Sequence, residues 1–193
     1  MTFQGGSGIL SKLSRDTGQK AGQKRGKNFL TDGWSCVPKE KIKMFHASSG
    51  TTGKPLIVGL TENDITFRKK IIKENAKIAG INSNDIVQIC YGFGMFTGGF
   101  SFYDGLKELG CQIIPTGTMS TEMQLFYMQE LKPTVLITSP SHIMHLYERA
   151  KELNINISQI PIRIIRVGSE LLTNSMRAVS YTHLRAHETS QDL

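Results

Sequence analysis

Apolar residues along this chain fall into short blocks separated by longer segments of helical period. Residues 42–45 (Ile42-Lys43-Met44-Phe45) and 56–60 (Leu56-Ile57-Val58-Gly59-Leu60) flank a polar, glycine-bearing stretch, and they predict the two strands of a hairpin. Thr61-Glu62-Asn63-Asp64 has the form of a capping box. Ile65, Ile72, Ala76 and Ala79 keep one face apolar from there to Gly80, which predicts a helix. After it the alternation becomes regular. Residues 86–91 predict a buried strand, 97–109 a helix closed by Gly110, 111–114 a strand, 119–131 a helix and 134–138 a strand. Ser139-Pro140 opens the next helix, with serine as cap and proline at the first position; residues 162–167 predict another strand, and a further helix begins near Thr173.

Short apolar strands separated by helices imply an α/β fold: a mostly parallel sheet with helices on both faces, preceded by the β-hairpin. Ligands of such sheets sit beyond the carboxyl ends of the strands. Tyr91-Gly92-Phe93-Gly94, Thr138-Ser139-Pro140 and Gly168-Ser169-Glu170 fall there.

The pattern fails at both ends. Residues 1–36 form an unassigned, basic, glycine-rich segment, and from about Ser180 the chain runs Tyr181-Thr182-His183-Leu184-Arg185-Ala186-His187-Glu188 with no apolar period. Residues 180–193 are therefore expected to be a non-native-looking tail, resembling translated adapter read-through. Residues 37–179 are expected to be one partial domain.

Composition narrows the function classes. The chain has 193 residues, 39% of them hydrophobic and 20% charged, as in an ordinary globular protein. Its net charge of +7 is concentrated in Lys12, Arg15, Lys20, Lys24, Arg25 and Lys27, opposed in the first thirty residues by Asp16 alone. A basic end poor in aromatics reads as a solvated segment rather than a nucleic-acid arm, so no nucleic-acid partner is expected. Cys36, Cys90 and Cys111 are odd in number and widely spaced, which suits a reducing cytoplasm and indicates neither a disulfide framework nor a zinc site. No apolar run approaches the ~20 residues that span a bilayer, so no membrane association is expected.

The stretch that organises the chain is His46-Ala47-Ser48-Ser49-Gly50-Thr51-Thr52-Gly53-Lys54-Pro55. Its hydroxyls and glycines can turn the backbone N–H groups toward phosphate oxygens, and Lys54 adds a full positive charge. It is not a P-loop: that pattern would need glycine at Ser48 and a Mg2+-ligating hydroxyl at Pro55, and a P-loop opens a helix rather than joining two strands. A Ser/Thr/Gly-rich turn without ligand is the bland alternative.

These ten residues, followed by Val58-Gly59-Leu60-Thr61, resemble the phosphate loop of the adenylate-forming acyl- and aryl-CoA synthetases, and more narrowly the phenylacetate-CoA ligase family. The resemblance implies that Ser48, Ser49, Gly50, Thr51, Thr52, Gly53 and Lys54 bind the β- and γ-phosphates of ATP, with Lys54 the one catalytic candidate in the chain. Tyr91-Gly92-Phe93-Gly94-Met95-Phe96-Thr97-Gly98-Gly99 matches the family's Tyr-Gly-aromatic-Gly-x-Phe-Thr-Gly-Gly, which lies against the aryl group of the acid. Tyr91, Phe93, Gly94, Phe96 and Thr97 are thus expected to form the acyl pocket; aromatic rings bury apolar area against a phenyl group, and glycines admit it to the backbone. The alternative is a strand end that packs Tyr91 and Phe93 into the core. Gly168, Ser169 and Glu170 stand where the family has a Gly-Ala-Glu segment beside the adenine and acyl groups, although Ser169 replaces alanine and Leu171-Leu172 replace the usual proline-aromatic ending. Glu170 could equally be a solvated charge that complements a helix dipole.

His142 and His145 stand three apart on a helix, and His183 and His187 four apart in the tail, but neither pair has a third ligand, so no metal site is expected on the chain.

The resemblance covers about residues 37–179. It implies an incomplete fragment of an AMP-forming ligase that uses ATP, Mg2+ and coenzyme A to convert an aryl carboxylic acid first to an acyl adenylate and then to a thioester. Two readings stay open beside it: a paralogue of the same family that adenylates a deazaflavin cofactor, and a nonenzymatic nucleotide- or phosphate-binding domain. The Mg2+-binding glutamate, ribose-binding aspartate and C-terminal lysine that the family uses are not found in this chain, so the chain by itself is expected to be inactive. The strand at residues 162–167 is expected to present an open edge.

Overall fold

The computed structural model describes residues 37–48, 55–182 and 188–191. The chain divides into two units, Met1–Ile65 and Thr66–Leu193.

In the first unit a 3-10 turn, Lys39–Lys41, leads into β1 (Ile42–Ala47), which pairs antiparallel with β2 (Ile57–Thr61). His46 lies opposite Val58 and Ala47 opposite Ile57, so the pairing runs up to the mouth of the intervening loop. The predicted capping box is present with aspartate in the glutamate position. The Thr61 N–H donates to Asp64 Oδ2 at 2.8 Å and the Asp64 N–H donates to Thr61 Oγ1 at 3.3 Å, which satisfies orphan donors at the start of helix α1 (Glu62–Ile78).

The second unit begins within α1 and continues as β3 (Ile86–Ile89), α2 (Thr97–Leu109), β4 (Gln112–Ile114), α3 (Thr121–Leu131), β5 (Val135–Thr138), α4 (Pro140–Glu152), β6 (Ile164–Val167), α5 (Asn174–Thr182) and β7 (Glu188–Gln191). The sheet order is β4-β3-β5-β6-β7, and every neighbouring pair is parallel. The α/β fold expected from the sequence is thus the fold observed, with helices on both faces.

Alternation along the strands builds two apolar layers. Val87 and Ile89 of β3, Val135 and Ile137 of β5 and Ile164 of β6 pack with Ala76 and Leu106 from α1 and α2. Leu136 and Ile165 face the other way, onto Leu125 and Met128 of α3 and Ile143 and Leu146 of α4. Both faces of β5 and β6 are covered, which is why these strands are apolar at every position except the buried Thr138 of β5 and Arg166 of β6. α1 and α2 approach so closely that a Cβ on Gly105 would lie 2.6 Å from Ile72 Cβ, and Arg68–Asp104 (3.1 Å) and Lys73–Glu108 (3.4 Å) ion pairs flank that contact.

At the amino end of the sheet the buried Asp85 carboxylate gathers four donors. Arg163 Nε approaches Oδ1 at 3.0 Å and its Nη2 donates to Oδ2, while Thr134 Oγ1 (2.7 Å) and the Asn82 N–H (2.8 Å) complete the set. Burial pushes this carboxyl up, but the hydrogen bonds from Arg163, Asn82 and Thr134 and the Arg163 charge outweigh it and hold it below the usual carboxylate range.

Differences from the sequence-based expectation lie at the ends of elements. β3 stops at Ile89, two residues early: the Cys90 N–H still donates to the Ile137 carbonyl at 2.8 Å, and then the chain turns out of the ladder. β6 starts at Ile164 rather than Ile162, because the Ile162 N–H is taken up locally by the Ile160 carbonyl at 2.8 Å. α5 runs on to Thr182, and residues 188–191 form β7, which pairs with β6 from Ile164↔Glu188 to Val167↔Gln191. The edge expected to be open at β6 is therefore occupied, because strand pairing uses backbone groups and needs no apolar period. Among the described residues no helix is long and apolar enough to cross a membrane.

Candidate active site

Three of the expected site segments leave the carboxyl ends of β3, β5 and β6, which lie side by side in the sheet. After β3 the chain forms the aromatic loop. Tyr91 turns inward, stacks on Phe102 of α2 with centroids 5.9 Å apart, and donates its phenolic hydrogen to the Thr138 carbonyl at 2.6 Å. Phe93 is half-buried between Phe100 (5.5 Å, 88°) and Tyr103 (6.1 Å, 89°), both edge-to-face. Such geometry aligns the positive ring edge with the negative face and is worth roughly 0.5–1.5 kcal/mol per pair beyond area. Gly94, Met95, Phe96 and Thr97 are exposed, Phe96 by 52%.

Tyr91 and Phe93 pack against the apolar layer under α2, while Phe96 is exposed. The glycines allow the loop to sit tightly: a Cβ on Gly99 in the first turn of α2 would fall 2.5 Å from the Gly92 carbonyl oxygen.

At the end of β6, Gly168 is buried, and Ser169 adopts φ +66°, a left-handed conformation that costs a residue with a side chain on the order of 1 kcal/mol. That turn aims Glu170 at the amino end of α4. Its carboxylate accepts from the Ser141 N–H (3.1 Å) and from Ser141 Oγ (2.9 Å). Glu170 thus lies at the amino end of α4, which follows β5, rather than standing as a solvated charge at the helix it precedes, and the contact ties two of the three loops together. Ser139 caps the same helix, its Oγ accepting from the His142 N–H at 3.4 Å.

A polar layer underlies the aromatic loop. His142 Nε2 lies 2.7 Å from Gln124 Oε1, and Gln124 Nε2 donates to the carbonyls of Gly117 (3.2 Å) and Met119 (3.0 Å). Burial, and then the nearby His145, push the His142 imidazole below its ordinary range. His145 is exposed. Thr116 Oγ1 donates to the Ile89 carbonyl at 3.1 Å and lies 3.8 Å from Cys90 Sγ, whose thiol is pushed up to about 11 by burial and is inert as a nucleophile. Gln124 and Ser141 were not singled out by the sequence. The one signal available was a glutamine set between the apolar Met123 and Leu125 of the helix, since a polar group buried there needs partners.

In the first unit, Ser48 clasps the mouth of the hairpin loop. Its N–H donates to the Leu56 carbonyl and its Oγ accepts from the Leu56 N–H, both at 2.9 Å. The remaining phosphate-loop candidates, Ser49, Gly50, Thr51, Thr52, Gly53 and Lys54, lie outside the described residues, as do His183 and His187. Among the described residues no three His, Cys, Asp or Glu side chains converge in a way that could hold a metal ion.

No protein-family model matches the chain. It is 36% identical over 146 residues to a phenylacetate-coenzyme A ligase of Aromatoleum evansii, a match that covers 76% of this chain and 33% of that protein. The phenylacetate-coenzyme A ligase of Escherichia coli K12 is also 36% identical, over 143 residues, covering 74% and 33%. Among solved structures, a 2-hydroxyisobutyryl-CoA ligase in complex with 2-HIB-AMP and CoA superposes with a TM-score of 0.76 at 19% identity, covering 92% of this chain and 37% of that one. A benzoate CoA ligase of Burkholderia xenovorans gives 0.58 at 19% identity, covering 81% and 30%. This chain is thus a homologue of the phenylacetate-coenzyme A ligases with the fold of the adenylate-forming CoA ligases, and it spans about a third of the length of the relatives it matches.

Proposed function

We propose that this chain supplies the phosphate loop and the acyl-pocket wall of an AMP-forming ligase that joins an aryl carboxylic acid to coenzyme A in the cytoplasm. The observation that carries the reading is the convergence at one end of the sheet. The aromatic loop is tied to the exit of β5 by Tyr91, and the Gly168–Ser169–Glu170 loop is tied to the start of α4 by Glu170. Relatives named for phenylacetate, and a structural neighbour holding an acyl adenylate with CoA, support the same chemistry.

In that chemistry the acid's carboxylate oxygen attacks the α-phosphorus of ATP. The bond to the bridging oxygen breaks and pyrophosphate leaves; the CoA thiol then attacks the acyl carbon and AMP departs. Lys54, with the hydroxyls and N–H groups of residues 48–53, stabilises charge that develops on the leaving pyrophosphate. Phe93 and Phe96 bound the aryl ring, and Gly168, Ser169 and Glu170 border the adenylate. The described residues gather no carboxylate cage for Mg2+, so no step is assigned to that ion.

The test is acid-dependent ATP–pyrophosphate exchange in a full-length ligase carrying this chain, with a panel of aryl and short aliphatic acids. Phe93→Ala should lower kcat/KM for aryl acids by about 1–3 kcal/mol and leave the KM for ATP unchanged. Equal losses for aryl and aliphatic acids would reduce Phe93 to a supporting role.

A further inference from the structure

Gln124 is only 1% exposed, and its side chain serves segments other than its own helix. Its amide nitrogen gives one hydrogen to the Gly117 carbonyl and the other to the Met119 carbonyl. Carbonyls only accept, so the amide oxygen must point the other way, toward His142, and His142 must present Nε2–H to it. The glutamine is thereby oriented without ambiguity, with every polar atom used.

The segment it holds forms the far side of the aromatic loop. Gly117 has φ +59°, and a Cβ there would lie 3.3 Å from Phe93 Cδ2; a Cβ on Gly92 would lie 3.3 Å from Thr118 Cγ2. The Gly117 N–H also donates to the Ile89 carbonyl at 2.9 Å, at the last residue of β3. Gly117 has no side chain and Met119 is 49% exposed, so residues 117–119 gain little anchorage from packing of their own. Their position behind Phe93 is set by hydrogen bonds: the Gly117 N–H on the Ile89 carbonyl, the Met119 N–H on the Thr116 carbonyl (3.3 Å), and the buried Gln124 amide, which is the one side chain that holds both the Gly117 and Met119 carbonyls.

We propose that Gln124, held in orientation by His142, is a positioning residue that fixes the width of the aryl-acid pocket by bracing residues 117–119 behind Phe93. The identity of the ligand rests on the proposed function; the bracing does not. Glutamate in this place would set a carboxylate against two carbonyls, asparagine is a methylene too short, and methionine fills the volume with no donor.

Two measurements on Gln124→Met, with His142→Phe as a milder second variant, decide the matter. In the 193-residue chain, amide hydrogen exchange at Gly117 and Met119 should quicken by about tenfold or more while Ile137 and Ile165 in the central strands stay within about twofold. In a full-length ligase carrying the chain, the KM for an aryl acid such as phenylacetate should rise about tenfold, with kcat and the KM for ATP within about twofold. Unchanged exchange at Gly117 and Met119, or acid and ATP KM values that rise together, would overturn the proposal. Should the wild type activate no aryl acid at all, the proposed function fails, and the exchange result alone upholds or overturns the bracing.

Discussion

The Tyr91 hydroxyl donates to the Thr138 carbonyl across 2.6 Å, joining the loop after β3 to the last residue of β5. Forty-seven residues separate the two in sequence, yet the bond sets where the aromatic loop starts. Tyr91→Phe keeps the stacking on Phe102 and removes only this donor. The expected loss is about 0.5–1.5 kcal/mol in urea unfolding, the net worth of one neutral hydrogen bond. A loss above this range would mean that the phenol supports more than the Thr138 contact.

Gly99 tests how close the aromatic loop must lie to α2. With a Cβ 2.5 Å from a backbone oxygen, Gly99→Ala forces the loop outward, because neither backbone segment is a flexible side-chain end. Aryl-acid use by a full-length ligase should fall about tenfold or more, while the helix itself gains up to ~1 kcal/mol in propensity. Unaltered kinetics would show that the loop has room that its geometry denies.

Gly105→Ala examines the helix contact beneath the site. The new methyl would meet Ile72 Cβ and Cγ2 at 2.6 Å, and Cβ is fixed to the backbone. Overpacking of this kind costs typically 1–3 kcal/mol and outweighs the ~1 kcal/mol gained in helix propensity, so the melting temperature should fall.

Much of this arrangement was legible in the sequence because it rests on local rules. The helix over residues 97–109 and its Gly110 cap follow from period and a left-handed glycine, and Ser139-Pro140 opens α4 as serine and proline dictate. What escaped was long-range polar pairing. Glu170 reaches Ser141 across twenty-nine residues and Gln124 reaches His142 across eighteen, and no local pattern marks such partners. β7 escaped for a related reason: its contribution to the sheet is backbone pairing, to which the apolar period is blind.

The pH dependence of stability should show two separate windows. His142 has a folded value below its unfolded one, so the unfolded chain binds the extra proton first, and stability is lost as pH falls below about 6.5 toward the folded value. His142→Gln should remove that step. Asp85 is also lowered; its contribution is complete above about pH 4 and is lost only as pH falls through its depressed folded value. Arg163→Ala should abolish the second window and cost about 3 kcal/mol at neutral pH, the low end for breaking a buried pair, since Arg163 keeps 35% of its side chain exposed. Chemical denaturation between pH 2 and about pH 8 checks both.

The most direct test of the central claim is pyrophosphate release from MgATP by a full-length ligase carrying this chain, with and without an aryl acid, beside a Lys54→Ala control. Release should depend on the aryl acid, and the Lys54→Ala variant should be slower by about 10- to 10³-fold, the scale for losing one donor to a developing negative charge. Release that is indifferent to the acid, or equal in the variant, would contradict the assignment of this chain to aryl-acid adenylation.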